Sequence, residues 1–230
     1  MGARRAVVGT VVTLVVLGTG AVVADRVALG VAEDRAREVV TQQLAVTGEP
    51  EVAIHGFPFL TQLLAGELDD VDAAATGLTL EGVEATDVRV TAQGVGLTAP
   101  HTVRAATLAA TLPPGSLERV LADRAGLAVD LTVDGGVLRA GGEVLGLALS
   151  AGLVPRVEGG VLLVDLTDVA LGERTLDLDD LPGGLGDRVT GLEVPVEGLP
   201  EGVVLTSASV VPGGVRVTAE GADVVLPEAP

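Results

Sequence analysis

The sequence predicts an α+β fold in which a long N-terminal helix packs on a strongly curved, mostly antiparallel β-sheet or barrel. Apolar residues recur at helical spacing from about Asp25 to Ala45. From Glu51 onward, apolar and polar residues mainly alternate, which is the period of a strand with one buried face. The 32 glycines among abundant Val, Leu and Ala also favour strands and turns. A sheet that curves around the helix or closes as a barrel hides its edges.

Composition and charge exclude several classes of protein. Hydrophobic residues make up 48% of the 230 residues, which excludes a disordered chain. The formal net charge of -18 argues against binding to nucleic acid, because such binding requires basic residues that neutralise phosphates. The absence of cysteine excludes disulfides, cysteine-ligated zinc and thiol nucleophiles.

The N-terminal segment predicts export. Arg4 and Arg5 precede an uncharged run over residues 6–24. This run is longer than a usual signal-peptide core and close to the length that spans a bilayer. Residues 1–24 are therefore expected to be a signal peptide or a membrane anchor, and residues 25–230 a single domain. Both alternatives for the leader stay open.

The long helix is expected to bury one apolar stripe and to end near Gly48 and Pro50. The rest of the domain is expected to cover that stripe. Its members recur every three or four residues: Val27, Val31, Ala32, Ala36, Val39, Val40 and Leu44.

Turn signals divide the remaining sequence into strands. Strands are predicted around Gly82 and Gly94, with turns at residues 134–136 and 212–214. One short helix, capped by Ser116 and stopped by Gly126, interrupts the strands.

The residues that usually carry catalysis are almost absent. No nucleophile elbow, metal-binding histidine motif or phosphate-binding loop occurs, and His55 and His101 are expected to be structural. Asp177, Asp179 and Asp180 lack the spacing of a calcium loop and predict a solvated turn. We expect no enzyme activity, no metal and no cofactor.

Both aromatic side chains of the protein lie in one short segment, at Phe57 and Phe59 around Pro58. The residues allow three interpretations of this segment. It packs in the core, it plugs the end of a barrel, or it forms a mobile lip that touches acyl chains or a membrane.

Three stretches together resemble a known family: "ADRVALGVAEDRA", "GFPFLTQLLAG" and "GLPEGVVLTS…GVRVTAEG". Their order is similar to that of the LmeA family of phospholipid-binding proteins from actinobacterial cell envelopes. The resemblance implies an exported protein with a tubular lipid-binding fold, in which a long helix and a curved sheet enclose an apolar channel. It also implies phospholipid as partner, the plasma membrane as a second partner through the N-terminal segment, and a role in lipoglycan upkeep such as lipomannan elongation.

The resemblance places lipid contacts on the Phe-Pro-Phe segment and the helix. The expected contact residues are Phe57, Pro58, Phe59, Leu60, Leu63, Leu64, Val31 and Val39. Arg89, Arg104 and Arg139, in or near strands, are candidates for the headgroup phosphate. The main alternative is a membrane-tethered adaptor domain for envelope enzymes, and a hydrolase has the least support.

Overall fold

The computed structural model of the protein describes residues 2–80, 82–125, 129–144, 147–171, 174–176, 192–194 and 201–225. In these residues the chain forms three helices and two antiparallel sheets. The predicted acidic turn at Asp177, Asp179 and Asp180 lies outside the described residues.

The helices are α1 (Gly2–Gln43), α2 (Phe59–Ala65) and α3 (Pro114–Ala125). The predicted amphipathic helix is the C-terminal half of α1, which continues without a break from the predicted leader. No helix in the described residues has both the length and the apolar composition that crossing a membrane requires. The prediction that Ser116 caps α3 was wrong, because α3 begins earlier with Pro114, a residue suited to the first helical position.

The larger sheet contains seven strands, ordered β1-β3-β4-β5-β13-β12, with β2 also paired to β3. Of the two glycines named in the sequence, Gly82, with a φ of +83°, forms the turn between β3 and β4, whereas Gly94 lies inside β4. The strands are β1 (Ala45–Thr47), β2 (Glu51–His55), β3 (Glu67–Leu80), β4 (Val83–Gly96), β5 (Thr102–Leu112), β12 (Val203–Val211) and β13 (Gly214–Val225).

The smaller sheet contains six strands, ordered β10-β9-β8-β7-β6, with β11 also paired to β9. Gly135 and Gly136 both have a positive φ and form the predicted hairpin turn between β6 and β7. The strands are β6 (Asp130–Asp134), β7 (Val137–Val144), β8 (Leu147–Glu158), β9 (Val161–Leu171), β10 (Arg174–Leu176) and β11 (Leu192–Val194).

The structure confirms the N-terminal helix and the mostly antiparallel sheet, but the alternative of a closed barrel was wrong. In the described residues β1 and β12 lie at opposite edges of the larger sheet and do not pair. Other elements cover these edges instead: α1 packs on β1 and β2, and β12 packs against β8 of the smaller sheet. Protection of the edges therefore comes from packing rather than from closure.

Two apolar clusters hold the elements together. In the first, Ile54, Phe59 and Leu68 are buried beneath α1. In the second, Leu131 and Leu138 of the smaller sheet pack with Val215 of the larger sheet, and α3 covers them with Leu117 and Leu121. The second cluster therefore joins the two sheets.

The face of α1 that packs on the first cluster agrees with the predicted stripe at Ala32 but not at Val27 and Val31. Ala28, Leu29 and Ala32 make these contacts, while Val27 and Val31 are exposed. The small side chains of Ala28 and Ala32 let the helix axis approach the strands closely, and this turns the neighbouring valines to solvent.

Candidate functional site

The larger sheet has an apolar face over the middle of its four long strands. Strand register places Ala73, Val90, Leu108 and Ala219 in one row across β3, β4, β5 and β13. Residues paired directly opposite in an antiparallel sheet share a face. We call the face that carries this row the inner face, because it looks toward α1.

The opposite face of the same strands is polar. The row next to the apolar one, shifted by one residue along each strand, consists of Asp72, Thr91, Thr107 and Glu220. These two adjacent rows show that, in the middle of the sheet, the inner face is apolar and the opposite face is polar across four strands.

The inner face is only partly covered. Packing of α1 and α2 covers one end through the first cluster, and α3 covers the other end through the second. Between these ends, Ala73, Val90 and Leu108 remain half-buried. A continuous apolar surface of this kind, left partly open, is typical of a ligand-binding groove or an interaction site.

A small apolar cleft lies where the C-terminal part of α1 crosses the inner face. Val40 of α1 and Leu44, just after the helix, line it together with Leu78, Val88 and Val90 of the sheet. Its volume is about 130 Å³. Apolar cavities of about 150 Å³ stay dry and accept benzene-sized molecules, so this cleft has room for part of an acyl chain.

The smaller sheet extends the apolar surface. Its register places Val133, Leu138, Leu153 and Leu166 in one row across β6, β7, β8 and β9. Leu138 packs with Val215 of the larger sheet in the second cluster. The apolar faces of the two sheets therefore meet at this cluster.

The border of the apolar cleft is charged. Three polar clefts adjoin it and share lining residues with it, most often Glu51. Arg89 lines two of them, and Arg37 and Glu49 line the third. Acidic and basic side chains therefore both lie near the lining of the apolar cleft.

Among the three arginines proposed for a headgroup, the structure distinguishes Arg89. Arg104 pairs with Glu67, and Arg139 Nη1 lies 3.0 Å from Asp168 Oδ2. Arg89 forms no ion pair in the described part of the chain, but its pairing with Ala109 places it on the outer face, across the sheet from the apolar cleft.

The two histidines make ordinary structural contacts. His55 Nε2 lies 2.9 Å from Asp72 Oδ2, and His101 Nδ1 lies 3.2 Å from the carbonyl oxygen of Gly96. A hydrogen bond from Thr91 is the main cause that lowers the pKa of Asp72 below its usual value, with His55 contributing. The described residues contain no group of side chains suited to a metal ion.

The two phenylalanines of the Phe-Pro-Phe segment have opposite environments. Phe59 is 3% exposed and belongs to the first cluster, as the core-packing interpretation requires. Phe57 is 58% exposed, and its ring centre lies 4.9 Å from the guanidinium carbon of Arg26. One aromatic therefore anchors the segment and the other remains at the surface.

The predicted lipid-contact residues surround α2 and α1 rather than the apolar cleft. Leu63, Leu64, Val31 and Val39 are exposed, and Leu60 is half-buried. Their contact with lipid stays a prediction. Sequence reasoning missed Ala73, Val88 and Val90 of the cleft, although the alternation in "VRVTAQGV" already places Val88 and Val90 on one face.

Comparison with known families agrees with the resemblance seen in the sequence. A profile described as LmeA-like phospholipid-binding matches residues 23–220. The chain belongs to the LmeA-like phospholipid-binding family. The match to this family covers the second half of α1, both sheets and the apolar cleft. No curated protein and no solved structure matched the chain.

Membership of the LmeA-like family supports phospholipid binding and is consistent with a protein that is not an enzyme. It also gives a physical meaning to the inner face. A protein that binds phospholipid needs apolar surface that its own core leaves uncovered, and the four-strand inner row supplies such a surface.

Proposed function

We propose that this protein is a non-enzymatic phospholipid carrier that holds acyl chains against the inner face and in the apolar cleft. The observation that carries the proposal is the apolar row Ala73, Val90, Leu108 and Ala219, of which the first three are half-buried. Each methylene transferred from water to such a surface contributes about 0.8 kcal/mol. A single acyl chain therefore supplies enough free energy for binding with few polar contacts.

The proposed path of the acyl chains is an apolar channel between the two sheets. It runs from the cleft along the inner face toward the second cluster, where Val215 meets Leu131 and Leu138. The protein is strongly acidic, so an anionic lipid is better held by its chains inside this channel than by its headgroup on the outer surface.

The headgroup is proposed to sit at the charged border of the cleft. Glu49 and Glu51 on the same border suit the cationic part of a zwitterionic headgroup.

The place of action is proposed to be the outer side of the plasma membrane. The uncharged run over residues 6–24 supports export, either with cleavage of a signal peptide or with retention as an anchor. There the carrier supplies or withdraws phospholipid during lipoglycan elongation or maintenance.

Native mass spectrometry with lipid extraction tests the carrier function. The full chain is released from detergent, incubated with phosphatidylethanolamine vesicles and weighed before and after. Near-stoichiometric added lipid supports the carrier, whereas an unchanged lipid-free mass favours the tethered adaptor.

A pair of alanine variants tests the site. Ala75 lies on the inner face and lines the cleft, while Ala109 lies on the outer face opposite Arg89, and both are half-buried. Ala75→Phe should fill the cleft and reduce bound lipid several-fold, and Ala109→Phe should leave it unchanged. Equal effects of the two variants would argue against the inner face as the lipid site.

A further inference from the structure

A second apolar surface lies on α2 and the neighbouring part of α1, away from the cleft. Seven of the thirteen exposed large apolar side chains of the described residues belong to it. The contact between Phe57 and Arg26 joins α1 to the segment just before α2. We call this surface the α1–α2 patch, and it consists of Val22, Val23, Val27, Val31, Phe57, Leu63 and Leu64.

The exposed side chains of α2 are held outward by fixed contacts of its other residues. The backbone N–H of Leu60 donates to Asp25 Oδ1 at 2.8 Å. Gln62 is buried and connects the carbonyl oxygen of His55 to the backbone N–H of Asp69. Because Phe59 is fixed in the core, α2 cannot rotate about its axis to bury Leu63 and Leu64. Leu64 is 90% exposed.

Exposure of this kind indicates a partner, because burying one leucine contributes about 1.5–3 kcal/mol. The sequence around the patch indicates the chemistry of that partner. Residues 56–66 carry no charge. Val22 and Val23 of the patch are the last part of the uncharged run over residues 6–24, which lies in the same helix. The patch is therefore continuous with the most apolar part of the chain.

The remaining features of the patch suit a lipid surface better than a protein partner. Phe and Leu next to a basic side chain are typical of segments that lie in the membrane interface, where the apolar side chains enter the acyl boundary and the guanidinium reaches phosphate. Phe57 and Arg26 form such a pair at the edge of the patch.

We propose that the α1–α2 patch docks on a phospholipid bilayer, with Leu63, Leu64 and Phe57 in the interfacial layer and Arg26 at the level of the phosphates. This inference rests on the membrane location given under the proposed function. Residues 26 and 40 of α1 are about 20 Å apart at 1.5 Å per residue, so the cleft stands clear of the docked surface.

A single tryptophan reports on docking, because the chain contains no Trp or Tyr. Leu64→Trp is introduced into the full chain, which is reconstituted in phosphatidylcholine vesicles with and without bromine on the acyl chains. Val204→Trp, at an exposed position on β12, is the matched control. We expect bromine to quench Leu64→Trp strongly and Val204→Trp little, while circular dichroism shows both variants folded.

Flotation of the same vesicles separates the outcomes. If the protein floats with the vesicles but the tryptophan at position 64 is not quenched, docking of the patch is refuted and anchoring is not. If the protein does not float, both docking and anchoring are refuted. A blue shift of the tryptophan emission at position 64 that depends on protein concentration, without quenching by bromine, would identify a second copy of the chain as the partner. That result would also refute the proposal. The carrier function is read independently, as lipid mass bound to the Leu64→Trp protein.

Discussion

At the scale of single residues, two phenylalanines that are two positions apart have different roles. Sequence alone left the Phe-Pro-Phe segment with three interpretations, because periodicity over so few residues does not define a buried side. The structure assigns Phe59 to the core beneath α1 and leaves Phe57 exposed beside Arg26. One deciding contact, from the backbone N–H of Leu60 to Asp25, joins residues 35 positions apart and leaves no local signal.

The different environments predict different costs of truncation. Phe59→Ala removes a buried ring and should lower the free energy of unfolding by about 3–5 kcal/mol. Phe57→Ala should cost no more than about 1 kcal/mol, the size of an exposed cation–π contact. Chemical denaturation followed by circular dichroism measures both values. Equal losses would mean that Phe57 is also a core residue.

Asp72 predicts a weak dependence of stability on acid pH. Its folded pKa lies below 3.8, chiefly because Thr91 donates a hydrogen bond to the carboxylate. The resulting stabilisation is present above the unfolded pKa and is lost as the pH falls through the folded pKa. The side chain is half exposed, so the effect is small.

Thr91→Val tests this linkage, because it should raise the pKa of Asp72 toward 3.8 and shift acid unfolding to slightly higher pH. Thr107→Val, in the same outer row but without a described bond to Asp72, serves as the control. Carboxyl resonances in an NMR titration report the pKa directly. An unchanged Asp72 titration in Thr91→Val would refute the assigned cause.

At the scale of elements, the turns were predictable and the orientation of α1 was not. Paired glycines such as Gly135 and Gly136 define hairpins locally, since few other residues adopt a positive φ. Along α1, apolar residues at 27, 28, 29, 31 and 32 surround most of the helix, so their spacing does not select one face. Contact with Ile54 and Leu68 selects the side of Ala28 and Ala32.

Adjacent residues on α1 test that orientation. Ala32→Phe forces a large ring into the contact with the first cluster and should destabilise the protein by about 1–3 kcal/mol. Val31→Phe, at a position 64% exposed, should stay within about 0.5 kcal/mol of the parent. Thermal melting of the two variants measures both changes in stability. A larger loss for Val31→Phe would restore the stripe predicted from sequence.

At the scale of the whole molecule, the sequence predicted a long helix and antiparallel strands, but it did not predict whether the edge strands of the sheet pair with each other. Alternation within each strand defines an apolar face, yet it carries no information on whether the first and last strands meet. That outcome depends on β12 finding β8 and on α1 covering β1 and β2. The apolar cleft shares this origin, since its lining combines α1 with strands 30 or more residues away in sequence.

Net charge predicts how the carrier responds to salt and to the type of membrane. A formal charge of -18 repels an anionic bilayer over a distance of about 10 Å at 0.1 M salt, the Debye length. Because docking and lipid uptake use apolar surface, salt should weaken only the repulsion. Uptake of a fluorescent phospholipid from phosphatidylglycerol vesicles should therefore accelerate several-fold as salt rises from low to physiological levels, whereas uptake from phosphatidylcholine vesicles should change little. A carrier that captures anionic headgroups through surface arginines would show the reverse, with uptake slowing as salt rises.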